Sequence, residues 1–175
     1  EDFNKKGFPR CEIGIGLNTG PMSVGNMGSD ERFCYTVMGD AVNLGARLEG
    51  LTKEYGIKIL VSEFTIAKLM KKHHFYRDLD DIKVKGKNEP IKVFDLMRPD
   101  ILPKEADIRE LIQLFQEGRK CYQAQDWDNA LKYFQQCLKL RENDGPSLVY
   151  QERIIEYKAQ PKIDNWDGVY TFTHK

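Results

Sequence analysis

Apolar residues recur at Ala41, Leu44, Leu48, Leu51 and Tyr55, three or four positions apart, the spacing of one buried stripe on an α-helix. This helix is predicted to start after Gly39, with Asp40 as its cap, and to end at Gly56. Asn43 and Arg47 fall one turn apart, about 40° from each other on the helical wheel and roughly 100° from the stripe's centre. An amide and a guanidinium on a flank add nothing to a helix core. They suit a site that handles phosphate charge, because Arg makes forked, charge-assisted bonds to phosphate oxygens. On the helix alone, a solvated flank is the better explanation of the pair.

Shorter apolar runs surround this helix. Residues 12–17 read as a buried strand, 22–26 as its hairpin partner across Asn18-Thr-Gly-Pro21, and 33–38 as a further short strand. Residues 57–61 are predicted as a strand and 63–72 as a helix capped by Ser62. Strands follow at 75–79, 82–85 and 91–97, the last entered through a turn at 86–90. Short strands interleaved with two helices predict an α+β sandwich, helices on one face of a mostly antiparallel sheet. Pro99 and Pro103 then interrupt the pattern, and 100–105 reads as a linker between a region at 1–99 and one at 106–160. The second region is purely helical, at 106–123, 127–140 and 147–158, which predicts a small all-α tail able to separate from the sandwich. Within it Gly118, Ala130 and Phe134, with Tyr122 and Trp127 nearby, resemble a single tetratricopeptide-type repeat. Residues 161–175 carry Trp166, Tyr170 and Phe172 among polar neighbours, and read as an irregular strap.

Bulk properties narrow the choice. In 175 residues, 27 Lys and Arg balance 27 Asp and Glu, so no net field draws the chain to nucleic acid or to an anionic membrane. The 41% hydrophobic content suits a soluble globular protein. No apolar run approaches the roughly 18 residues that would span a bilayer. Cys11, Cys34, Cys121 and Cys137 have no Cys-x-x-Cys spacing and are expected as reduced, partly buried thiols. His73 and His74 read as the end of a helix rather than as a catalytic pair. The chain opens at Glu1 without Met, so it is expected to be a fragment.

The motifs reverse the bland reading of Asn43 and Arg47. GIGLNTG (14–20), VGNMGS (24–29), YTVMGDAVNLGARLE (35–49) and VKGK (84–87) stand in this order along the chain. Together they resemble the C-terminal half of the class III nucleotide cyclase catalytic domain, over about residues 11–97. The resemblance implies a partial ferredoxin-like cyclase sandwich and the conversion of ATP to 3′,5′-cyclic AMP and pyrophosphate. In that chemistry the ribose 3′-hydroxyl attacks the α-phosphate, assisted by two divalent ions, Mg2+ or Mn2+.

By the same resemblance, Asn43 would orient the ribose and Arg47 would neutralise charge growing on the α-phosphate. Lys85 would hold the terminal phosphates. Thr36 falls where adenylate cyclases carry Asp, Thr or Ser and guanylate cyclases usually carry Cys, which favours adenine. The family's metal-binding aspartates and adenine-contacting lysine are expected before Glu1, so no metal ligand is assigned here. Asp40 matches a helix-start position instead. Half a catalytic set should be inactive until a partner supplies the rest. The family builds its sites at a head-to-tail dimer interface, and residues 26–37 resemble its dimerisation arm, so a homodimer is expected. A protein contact through the helical tail is a further expectation, and no nucleic-acid partner is. The region is expected on the cytoplasmic side, whether or not a longer parent is membrane-anchored. The alternatives are a catalytically silent cyclase-like regulatory domain, a guanylate cyclase, and an interaction module built on the helices.

Overall fold

The structure is a computed structural model that describes residues 5–9, 12–29, 32–69, 75–83, 89–98, 101–159, 164 and 166–170. Its strands are β1 (Ile15–Leu17), β2 (Ser23–Ser29), β3 (Arg32–Met38), β4 (Ile59–Ser62), β5 (Phe75–Ile82) and β6 (Ile91–Met97). Four of them form a sheet in the order β1-β4-β6-β5, with β1–β4 parallel and the other two pairs antiparallel. β2 and β3 form a separate antiparallel hairpin. The α+β class read from the sequence holds.

The pairing corrects one expectation. Residues 22–26 are not the hairpin partner of β1, because the segment between them is tied down instead of turning back. Asn18 Nδ2 donates to Ala41 O at 2.8 Å, and Asn18 Oδ1 accepts from Ser62 Oγ at 2.6 Å. β1 therefore runs beside β4, and β2 is left to pair with β3.

Helix α1 (Asp40–Glu54) follows β3 directly. Its N-cap is Gly39 at φ 145° and ψ 165°, a conformation that only glycine adopts cheaply. Asp40 is thus the first helical residue and not the cap. Leu44, Leu48 and Tyr55 are buried, as the stripe predicts. Helix α2 (Glu63–Ile66) is a single turn where ten residues were expected, although Ser62 does cap it by accepting from Thr65 N at 3.3 Å.

The sequence predicts strands at 75–79 and 82–85; the structure has one strand over Phe75–Ile82, and 84–85 lie outside the described residues. A bulge at Leu79 shifts the register, so that Asp78 lies opposite Phe94 and Asp80 opposite Val93. The bulge has a consequence for charge. Strand alternation would send Arg77 and Asp80 to opposite faces, and the extra residue turns both inward. Both are fully buried.

The tail helices α3 (Glu105–Gln123), α4 (Trp127–Leu140) and α5 (Gly145–Lys158) cover these charges. Gly118 lets α3 and α4 approach closely, since a Cβ there would meet the Phe134 ring at 2.9 Å. Asp126 and Asp144 cap α4 and α5. Arg77 donates at 2.8 Å to Asp95 on β6 and at 2.8 Å to Asp144. Its guanidinium also lies 4.5 Å from the Phe115 ring centroid. Arg119 of α3 reaches Asp78 and Asp81. Arg153 of α5 reaches Asp80 at 2.6 Å.

One continuous buried cluster runs from Leu44 and Leu48 through Leu60, Leu79 and Val93 to Phe115, Phe134 and Ile154. The sequence boundary near 100–105 thus separates two periodicities, while the packing crosses it. The strap also finds its place. Trp166 packs in an aromatic cluster with Tyr122, Trp127 and Tyr157, Asp167 pairs with Lys83 at 2.7 Å, and Tyr170 bridges to Ile82.

Among the described residues no helix is long and apolar enough to cross a membrane. Cys137 is buried, which pushes its thiol up to about 12, and Cys121 is half-buried. Cys34 is exposed, against the expectation of partial burial. Cys11, His73 and His74 lie outside the described residues.

Candidate active site

The Gly-rich first motif acts on the helix that carries the candidate residues. A Cβ at Gly16 would fall inside the backbone of Gly45 and Glu49, and one at Gly14 inside the Thr52 side chain. β1 and α1 therefore meet backbone to backbone, a contact that needs bare glycine. Gly20 performs the same service against Ala41, where an added Cβ would come within 2.8 Å of the existing one. Asn18 completes the anchor by binding both the first turn of α1 and the end of β4. Thr19 Oγ1 and Thr65 Oγ1 lie 3.0 Å apart and bind the same loop to α2.

On this platform Asn43 and Arg47 sit one turn apart and both are exposed. Four residues of helix separate them by about 6 Å along the axis. They occupy the exposed flank of a helix whose opposite side is buried through Leu44 and Leu48. Thr36 is half-buried on β3, the strand that leads into α1, with Gly25 opposite it on β2. Thr36, Asn43 and Arg47 thus belong to one strand–helix unit. Lys85 lies outside the described residues, in the segment that joins β5 to β6.

The hairpin beside this unit is unusually apolar on its open side. Phe33 and Tyr35 keep 68% and 74% of their surface exposed, and Val24 and Val37 are exposed on the same side. Large contiguous apolar exposure marks a surface built to be covered.

Divalent ions need several converging oxygen or nitrogen donors. Among the described residues no three His, Cys, Asp or Glu converge in that way. Asp40 stands at the start of α1, with no side-chain capping bond at that helix end. The described residues do not fit a metal pair.

A model of the adenylate and guanylate cyclase catalytic domain matches residues 1–97. The chain belongs to that family. An adenylate cyclase of Dictyostelium discoideum, the terminal-differentiation specific one, is 34% identical over 151 residues, covering 85% of this chain and 7% of its own length. That similarity extends past residue 97 in length, so it includes part of the helical region. An adenylate cyclase of Anabaena cylindrica is 43% identical over 94 residues, 53% of this chain and 19% of its own length. The chain therefore spans under a fifth of either curated relative. The crystal structure of the adenylyl cyclase CyaB from P. aeruginosa matches at a TM-score of 0.47 and 34% identity, over 55% of this chain and 48% of the other.

The residues that sequence reading missed are Asn18, Gly14 and Gly16. Their signal was present: two glycines two apart on a strand place both on one face, where a second backbone can approach. The partner helix could not be named from the strand alone.

Proposed function

We propose that this chain is one half of an adenylate cyclase active site, converting ATP to cyclic AMP and pyrophosphate for intracellular signalling on the cytoplasmic side. The observation that carries the reading is the exposed Asn43–Arg47 pair on a helix seated on glycines, within a cyclase-family domain. Arg47 would meet charge that develops on the α-phosphate, Asn43 would hold the ribose, Thr36 the adenine, and Lys85 the terminal phosphates. A preorganised donor of this kind acts on the transition state more than on the ground state. The ions that activate the nucleophile and spread phosphate charge would be held by carboxylates other than those described here. A second copy of the domain would supply them, and the apolar β2–β3 hairpin supports that assembly. The closely packed α3–α4 pair supports reading the tail as tetratricopeptide-like.

The test is Arg47→Ala in the full-length enzyme. Turnover should fall by roughly 10²–10³-fold, the scale for losing one such donor, with apparent substrate affinity nearly unchanged. Weakened binding at unchanged turnover would sink this role.

A further inference from the structure

We infer that Tyr55, held by Asp80 and Arg153, is a positioning residue that sets the roll of α1 and so the aim of Asn43 and Arg47. The inference rests on the catalytic reading of that pair. It starts from the end of α1 opposite its cap. Tyr55, the C-cap residue, is fully buried, and its hydroxyl donates to Asp80 Oδ2 at 2.5 Å. Arg153 Nη1 donates to the same oxygen at 2.6 Å, and Arg153 Nη2 donates to the Tyr55 oxygen at 3.3 Å. Asp80 Oδ1 accepts from Asp81 N at 2.9 Å. The Tyr150 hydroxyl stands 3.1 Å from Oδ1 and 2.9 Å from Leu79 O, with one proton to share between them. The N-terminus of α5 closes on the same point, because a Cβ at Gly145 would fall on Tyr55 O. Two elements distant in sequence, β5 and α5, therefore converge on the C-cap residue of the helix that carries the candidate pair.

Elsewhere α1 is held by its buried stripe, Leu44 and Leu48, and by Asn18 at its first turn. Gly16 brings β1 against the helix backbone, and Gly14 faces the Thr52 side chain. These contacts hold α1 against the sheet, and Tyr55 adds a polar stop at its C-terminal end. The Tyr55 side chain reaches radially from that axis into a fixed acceptor, which is what a stop against rotation requires. Arg47 stands about 6 Å or more from the axis, so a roll of roughly 10° carries its guanidinium about 1 Å. A misplacement of that size costs on the order of 10²-fold in rate. Burial and the Asp80 charge hold the Tyr55 hydroxyl well above its ordinary pKa, so it stays a donor.

Tyr55→Phe in the full-length enzyme removes one hydroxyl and keeps the ring. Arg153→Lys, the second variant, keeps the charge on Asp80 but loses the fork to Tyr55. Each should lower kcat about 10- to 100-fold with KM little changed, and should speed amide exchange over residues 48–54. Combined with Arg47→Ala, each should add almost nothing, because a positioning effect works through Arg47 and the losses are not additive. Multiplied losses in the double variants would mean a general structural defect and would overturn the proposal. So would unchanged amide exchange and turnover in both single variants. If Arg47→Ala alone leaves turnover intact, the catalytic reading fails first and visibly, and the positioning role falls with it.

Discussion

Arg77→Met is the sharpest test of how the helical tail is held to the sheet. Arg77 is fully buried, and both of its partners, Asp95 and Asp144, are buried carboxylates at 2.8 Å. Met gives up the guanidinium's stacking on Phe115 but keeps an apolar side chain of similar length beside the ring, so the packing loss is small. The charge loss is not. Removing one partner of a buried pair costs about 3–5 kcal/mol, because an uncompensated charge is left behind. Here Asp95 is left uncompensated, while Asp144 keeps Arg141 at 3.1 Å and its bonds from Ser147, which places the loss at about 3–5 kcal/mol, comparable to the whole stability of a marginal domain. Asp144→Asn should cost far less, about 1–3 kcal/mol, because Arg77 keeps Asp95 and the amide still offers an oxygen.

The effect should depend on pH. In the parent, burial raises the Asp144 pKa, but the Arg77 guanidinium beside it more than reverses this and holds it below its ordinary value. Its contribution is therefore present above the unfolded value of about 4 and is lost as pH falls through the folded one. Burial raises Asp95 despite Arg77, so its own contribution has the opposite sign. In Arg77→Met both carboxylates keep the burial and lose Arg77, so both shift upward from their parent values, Asp95 the more because Asp144 keeps Arg141 and Ser147. The stability lost with Arg77 is therefore largest at pH 7 and shrinks as pH falls. Urea unfolding of the chain, followed by Trp fluorescence at pH 7 and pH 4.5, should show the variant far below the parent at pH 7 and closer to it at pH 4.5. Should the variant not fold at pH 7, replacing Arg77, Asp95 and Asp144 together by apolar residues should restore folding, as exchanging a buried ionic cluster for hydrophobic residues is often neutral. A loss at pH 7 below about 1 kcal/mol, or an equal loss at both pH values, would refute the reasoning.

Two further outcomes test the candidate site. Gly16→Ala should destabilise the chain by about 1–3 kcal/mol by overpacking, since its new methyl group would meet the α1 backbone, and thermal unfolding measures the loss. A wild-type melting temperature would show that β1 and α1 are not in direct backbone contact. Thr36→Ala in the full-length enzyme should narrow the preference for ATP over GTP by about 1–3 kcal/mol, the scale of one unsatisfied buried polar group. The ratio of the two kcat/KM values, unchanged from the parent, would remove Thr36 from the base-recognition site.

Local periodicity made most of the elements legible. The α1 stripe, the strand at 91–97 and the helices from 105 to 158 all follow from spacing alone, because each buries one regular face. The exposed flank with Asn43 and Arg47 followed from the same wheel. What escaped was pairing. The partner of β1 is decided by Asn18, whose two contacts lie 23 and 44 residues away. Nothing in a strand of three residues announces them.

The stretch Arg77-Asp-Leu-Asp-Asp81 shows the deeper reason. By composition its end, Asp80-Asp81, is a polar break between two strands, since buried carboxylates are costly without partners. Those partners are Arg119 and Arg153, 38 to 73 residues away on helices whose own Arg positions look like ordinary solvated faces. Each half of the network reads as surface when taken alone, and only the bulge at Leu79 turns the acidic half inward. The periodicity break near residue 100 therefore marks the place where the chain stops building the sheet and starts covering it. The tail is more than an appendage to a finished domain, because the charges it neutralises lie on β5, the edge strand of the sheet that it covers, and one of them, Asp80, holds the end of the helix that carries Asn43 and Arg47.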